Sequence, residues 1–376
     1  MNDLKGLKEA LEAKKGFKLE MIIGLDGFVD EIIHVVDKRQ DFEKFTRLET
    51  IGELGSRISK AAGLSTNIEM AVVQTKLGGN GPILSNALLE FGVSLTYFGA
   101  LGRPDIHPVF KPMVEKAKTV YSLSDPAHTD ALEFADGKIL FGKLSVLNEL
   151  TWERCKELMG GASGITDMVS KSHLFGMENW TMIPHMNDIW QGIIDEVFPL
   201  MKDTGNKPIA FFDLADPEKR TKEDILKAMD LIKGINAKFR SVLGLNEKEL
   251  YEIAKVFGIA IDESASPDEK FKKAVIDTYK RLGIYSLVVH PVRSAACCVE
   301  GEYYQASGPY CEKPVLTTGA GDNFNAGFCL GMALDLQPQQ ALTLGVCTSG
   351  YYVRNAKSPT FSQVIEFADM WDKGNL

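Results

Sequence analysis

Cysteine is scarce and unpatterned: the 376-residue chain holds six, at Cys155, Cys297, Cys298, Cys311, Cys329 and Cys347, with no Cys-x-x-Cys pair. That speaks against a thiolate zinc site and against a disulfide framework. Cys297 and Cys298 stand in the apolar run Ala295-Ala296-Cys297-Cys298-Val299, which predicts buried strand thiols. His173, His185 and His290 keep no metal-ligand spacing to any Cys or carboxylate pair, so no zinc is expected there either. Long apolar runs are missing. No stretch reaches the roughly 18 residues of a membrane span, and the charged, helix-patterned start has no signal core, so a cytoplasmic protein is expected. Clustered positive charge is missing as well. Lys and Arg number 42 against 51 Asp and Glu, a net charge of −9 spread along the chain, which disfavours nucleic acid and anionic membranes as partners. Neither G-x-x-x-x-G-K-[ST] nor a G-x-G-x-x-G after the first strand occurs, so Walker-type and dinucleotide-linked readings lose support.

What remains is an ordinary globular composition, 45% apolar and 25% charged, able to bury a sizeable core. Short apolar runs at 19–25, 94–98, 172–175, 208–213, 241–245 and 286–290 predict strands. Helical patterns fall between them at 83–91, 188–201, 222–232, 247–257 and 268–282. Continuous apolar strands alternating with helices predict a three-layer α/β/α sandwich with a mostly parallel central sheet, whose ligands bind beyond the carboxyl ends of the strands. Residues 28–50 and 128–145 break the rhythm, and 132–141 form a hairpin around Asp136-Gly137. These two segments are expected to form a small β lid on a single domain spanning 1–376.

The densest chemical signal is Thr317-Thr318-Gly319-Ala320-Gly321-Asp322, after a segment at 313–316 that reads as extended and before a long apolar helix. A Gly-Ala-Gly turn leaves backbone N–H groups open to an anion, and the helix dipole adds to the attraction. Asp322 has two readings. It could cap the helix, the commoner role for an Asp there. It could also accept the proton of a hydroxyl that attacks a phosphoryl group held in the adjacent turn. The glycines beside it favour the second.

This motif, followed by Asn325-Ala326-Gly327, resembles the C-terminal signature of the ribokinase-type (PfkB) carbohydrate kinases. The resemblance implies an ATP-dependent kinase acting on a sugar-like alcohol, with Asp322 as base and Gly319, Ala320 and Gly321 as the anion hole. It extends to other segments. Gly78-Gly79-Asn80-Gly81, by itself just a turn, resembles the first signature of that family, which implies substrate contacts from Gly79 and Asn80. Asp30, placed near the end of the first strand, resembles the aspartate that binds substrate hydroxyls, with Asp26 as its neighbour. Glu178 follows a strand where relatives carry a substrate-contacting Glu. Asn246 and Glu249 match an Asn-x-x-Glu motif that organises Mg²⁺ through water, although Glu249 could equally be an exposed helix residue. Thr318, Arg293, Asp213, Arg220 and Asn355 fall at nucleotide-side positions, Arg293 being equally readable as a surface residue.

The departures are specific. Ile83 stands where the first signature usually has Asn, and His290-Pro291-Val292-Arg293-Ser294-Ala295 replaces a glycine-bearing nucleotide loop. Leu316 occupies a position that is commonly Asp and helps bind potassium in relatives. These leave a rival reading open, a sugar- or nucleotide-binding regulator without catalysis, beside a nucleoside kinase of the same family. Partners expected are a small sugar-like molecule, ATP and a second copy of the chain as a homodimer.

Overall fold

The computed structural model describes residues 3–202, 205 and 207–376. Its strands, in chain order, are β1 (Glu20–Leu25), β2 (Phe28–Arg39), β3 (Phe45–Arg47), β4 (Met70–Gly78), β5 (Ser94–Ala100), β6 (Thr119–Ser124), β7 (Ala127–Phe134) and β8 (Gly137–Lys143). There follow β9 (Leu174–Met177), β10 (Ile209–Asp213), β11 (Arg240–Leu245), β12 (Ser286–Val289), β13 (Ser294–Val299) and β14 (Glu302–Ser307). Nine of them form one sheet in the order β14-β13-β12-β11-β10-β9-β1-β5-β6. From β6 to β12 the pairing is parallel, and the antiparallel β13 and β14 close one edge.

Side chains on a strand alternate between faces, and here both faces are buried. Ile22, Phe212 and Leu243 join one apolar core, roofed by the helices Trp152–Met159, Met186–Gly192 and Lys222–Ile235. Ile23, Phe211 and Val242 join the other, under Asn80–Glu90, Ala320–Ala333 and Pro338–Asn355. The vicinal thiols follow the same rule: Cys297 enters one core and Cys298 the other, and all six cysteines are free. The three-layer α/β/α architecture is the one expected from the alternation.

Two expected elements differ. The helix placed at 188–201 stops at Gly192, passes through a π turn at Ile193–Val197 and ends in a 3₁₀ turn at Phe198–Leu200, where Pro199 has no N–H to continue the ladder. Residues 313–316 form no strand. They bend beneath the last long helix, with Val315 N–H on the Val353 carbonyl (2.8 Å), and Leu316 is half-buried rather than packed into the core.

The second sheet has the order β3-β2-β7-β8, with β4 on the free side of β2. It contains the two segments set apart in the sequence and adds β4 and the helix Ile51–Ser59, capped by Thr50 and Glu53. Leu132, Phe134, Ile33 and Leu54 give it a core of its own. Asp136 accepts from Ile51 N–H (3.0 Å), tying the hairpin tip to that helix.

Candidate active site

Loops leaving the carboxyl ends of β1, β9, β10 and β11 converge where the small sheet meets the large one. Asp26, the residue after β1, is fully buried. Its carboxylate accepts from Asn80 N–H (2.9 Å), Gly81 N–H (2.9 Å) and Asn179 Nδ2 (2.7 Å). An acid at a helix start satisfies open amides and meets the positive end of the dipole. Gly79 makes the approach feasible: its φ is +95°, and a Cβ there would lie 2.9 Å from Asp26 Oδ2. Asn179 also has a positive φ, 62°, an arrangement Asn tolerates, and this turns its amide back to Asp26.

A second helix start faces the first. Gly319, at φ +90°, caps Ala320–Ala333, and a Cβ on it would sit 2.9 Å from the Tyr352 hydroxyl. That hydroxyl donates to the Thr318 carbonyl (2.8 Å), while Asn323 Nδ2 donates to the Gly319 carbonyl (2.9 Å). Ala320 N–H closes onto the Thr317 carbonyl (3.1 Å) and Asn323 N–H onto that of Gly319 (3.0 Å), and the Gly321 amide between them is at the open end of the helix. Asp322 lies in this first turn and accepts from Asn80 Nδ2 at 3.0 Å.

The braced turn separates two cavities. One, of about 330 Å³, is lined by Thr317, Ala320, Gly321, Asn246, His290 and Tyr310. The other, of about 400 Å³, lies under the small sheet and is lined by Asp30, Lys76, Asn80, Lys138, Asn179 and Thr318, among others. Asp30 is the third residue of β2 rather than the end of the first strand. Burial raises its pKa, and Lys76, a hydrogen bond from Thr129 and Lys138 oppose the rise.

Carboxylates dominate the junction. Burial lifts Asp26 to about 6 against the pull of its three donors. Burial, then the charge of Asp26, lifts Asp322 to about 8, against the Asn80 bond. Burial lifts Glu178 and Asp213 well above the carboxylate range, with the charge of Asp213 adding to the rise of Glu178 and that of Glu249 to the rise of Asp213. An acid poised near neutral pH between two cavities can take up a proton from one bound molecule as that molecule attacks another.

Several residues singled out in the sequence lie elsewhere. Glu178 is wholly buried with neither oxygen hydrogen-bonded, and it is Asn179 that lines the cavity. Asp213 is also buried, accepting from Ala215 N–H (2.9 Å) and Asn325 Nδ2 (3.0 Å). Arg220 stacks on Trp180 (4.6 Å) and donates to the carbonyls of Trp180, Thr181 and Ile183, bonds that hold the loop after β9, and it lines neither cavity. Arg293 covers the Tyr310 ring at 3.7 Å and does not line the first cavity. Asn355 donates to Tyr351 on its own helix. Thr318 lines the cavity under the small sheet, and its neighbour Thr317 faces the other. Asn246 and Glu249 form a capping box (3.0 and 2.8 Å), with Glu249 also accepting from Asp216 N–H (3.0 Å). Lys76 and Lys138 were not anticipated. Neither carries a pattern, and only the pairing of the small sheet brings them in.

A family model described as prokaryotic ketohexokinase matches residues 8–371. A ketohexokinase of Haloferax volcanii is 26% identical over 352 residues, covering 93% of this chain and 90% of that protein. Among solved structures, a ribokinase from Thermotoga maritima superposes with a TM-score of 0.64 at 17% identity, covering 94% of this chain and 100% of that one. A ribokinase of Arabidopsis thaliana, solved with ribose and ATP, gives 0.62 at 16% identity, covering 93% and 98%. With the match running nearly end to end and the fold shared, the chain belongs to the prokaryotic ketohexokinase family, carbohydrate kinases that use ATP and have the ribokinase fold.

Proposed function

We propose that this protein transfers the γ-phosphoryl group of ATP to a hydroxyl of a ketohexose, with Asp322 as the general base. The sugar occupies the cavity under the small sheet, and the nucleotide the cavity bearing Gly321, His290 and Tyr310. One observation carries this reading: Asp322 sits at the wall between the two, bonded to Asn80 on the sugar side and one residue from the open Gly321 amide on the other. The Haloferax relative, named a ketohexokinase, supports the choice of sugar.

In the reaction Asp322 removes the hydroxyl proton as the oxygen attacks phosphorus in line, and the bond to the ADP oxygen breaks. The Gly321 amide and the helix dipole meet the charge on the transferred group. Asp30, Asn80 and Asn179 orient the sugar. The small sheet acts as a lid that keeps water from the phosphoryl group. The surplus of acids fits a divalent cation, and each Glu249 oxygen, holding one N–H bond, keeps a lone pair for a metal-bound water. Asn246 and Glu249 would hold Mg²⁺ in this way, and the ion supplies charge neutralisation at the phosphate oxygens.

No described helix is long and apolar enough to cross a membrane. Six free thiols, five of them buried, support a reducing, cytoplasmic setting. Exposed apolar side chains on the small sheet, among them Val72, Val73 and Phe141, support a homodimer.

The test is ATP consumption over a panel of ketohexoses, aldoses and nucleosides, with the product identified by phosphorus NMR. A ketohexose should be preferred, and Asp322→Asn should lower turnover about 10²–10⁴-fold. No sugar-dependent ATP use, or wild-type turnover in the variant, overturns the reading.

A further inference from the structure

The two cavities beside the 319–321 turn differ in charge. Among the described residues no Lys or Arg lines the nucleotide-side cavity, and burial pushes its imidazole, His290, down to about 4, so it stays neutral. Arg293 and Arg220, the arginines placed there by motif, are held on Tyr310 and Trp180. Beneath the turn lie Asp26, Glu178, Asp213 and Asp322, all acids. A phosphoryl group in transfer spreads negative charge over three oxygens and needs opposite charge around it.

The other cavity supplies it. Lys138, at the start of β8, donates from Nζ to Thr318 Oγ1 at 3.2 Å. Thr318 adjoins Gly319, the cap of the helix that opens onto the phosphoryl position. The other lysine of this cavity, Lys76, acts on Asp30, whose pKa it lowers more than Lys138 does. Lys138 is therefore the side-chain cation bonded to the turn.

Resting on the kinase reading above, we propose that Lys138 is a catalytic residue that contacts the phosphoryl group in flight. Its Nζ exchanges Thr318 Oγ1 for a phosphoryl oxygen as the nucleotide and sugar seat. It forms and breaks no covalent bond and keeps its protons: Asp322 takes the hydroxyl proton, the sugar oxygen bonds to phosphorus, and ADP departs with the electrons of the broken P–O bond. Mg²⁺ would be held between the cavities, by Asn246 lining the nucleotide side and Glu249 lining the same cavity as Lys138, and would leave the Thr318 end of the turn to the lysine. Because Lys138 comes from the small sheet, the charge is complete only when that sheet lies over the site.

The experiment uses the full chain with MgATP and its preferred ketohexose. Lys138→Met should lower kcat about 100-fold, with the sugar KM changed less than about threefold and the melting temperature unchanged. Lys138→Arg should retain more turnover than Lys138→Met. Propylammonium should restore Lys138→Ala in a saturable way and leave Asp322→Asn unaffected. The proposal is overturned if Lys138→Met keeps wild-type kcat, if the loss falls on sugar KM alone, or if Lys138→Ala does not respond to the amine. A wild-type protein that uses no ATP with any sugar overturns the kinase reading itself. An active wild type with an unimpaired Lys138→Met overturns only the role of Lys138.

Discussion

Asn80 Nδ2 and Asp322 Oδ1 lie 3.0 Å apart and tie together the first turns of two helices that start 240 residues apart in the chain, at Asn80 and Ala320. The bond favours the ionised form of Asp322, the form a base requires. Asn80→Ala removes it, so Asp322 should rise further. The acidic limb of kcat/KM against pH should move upward, and turnover at pH 7 should fall about tenfold, the worth of one hydrogen bond to a charged group. An unchanged limb would separate Asn80 from the base.

Asp322 also makes stability depend on pH. Its folded value of about 8, and that of Asp26 at about 6, lie above the ordinary 3.8. Groups raised by folding stabilise the fold fully below about pH 4, and that contribution is lost as pH climbs through the folded values. The window is therefore pH 4 to 8. Asp322→Asn stays neutral and escapes its share, of order a few kcal/mol. Its melting temperature should exceed wild type by about 5 °C at pH 8.5 and match it at pH 4.5. An equal offset at both pH values would count against a buried, raised carboxyl.

Arg220 offers the opposite separation. It anchors three carbonyls and pairs with Asp224 (2.7 Å) while stacked on Trp180. Arg220→Leu strands those groups and should cost about 2–4 kcal/mol in denaturant unfolding. The KM for ATP at low temperature should stay within about twofold. A large rise in that KM with normal stability would return Arg220 to the nucleotide.

Leu316 leads to a prediction about salts. A hard monovalent cation wants oxygen ligands, and an isobutyl side chain offers none. Leu316 instead lines a cavity with Ile83 and Tyr352. Turnover should need Mg²⁺ yet be nearly indifferent to K⁺ against Na⁺ at matched ionic strength. Saturable, several-fold activation by K⁺ alone would contradict it.

The large sheet was legible because strands buried on both faces are continuous apolar runs, such as Ile209 to Phe212. The strand β4 was not. Its residues Met70, Val72 and Val73 are exposed, and a register shift between Ile32 and Ile33 of its partner breaks the two-residue period. In the site, Gly319, Gly321 and Asp322 were legible because backbone geometry demands glycine beside the acid. The stacking of Arg220 on Trp180 and of Arg293 on Tyr310 was not legible, because an arginine near a nucleotide motif reads alike whether it meets phosphate or an aromatic ring. Lys138 had no local signal, since its role depends on a strand pairing that carries it to Thr318.

The small sheet joins the large one at four crossings: Asp26-Gly27, Gly79, the short link between β6 and β7, and Leu144 after β8, whose last residue Lys143 pairs with His128 beside Ala127. The strands adjoining those crossings pair at one place, Phe28 facing both Gly78 and Ala127. The crossings thus line up like the knuckles of a door hinge, with Asp26 clamped at the axis and Lys138 near the free edge, beside the Phe134–Gly137 pair. A leaf hung this way can turn about one axis only, an axis that leaves Asn80 and Asp322 in register and gives Lys138 the widest arc. Under the proposed mechanism the base would be stationary and the cation would arrive by rotation.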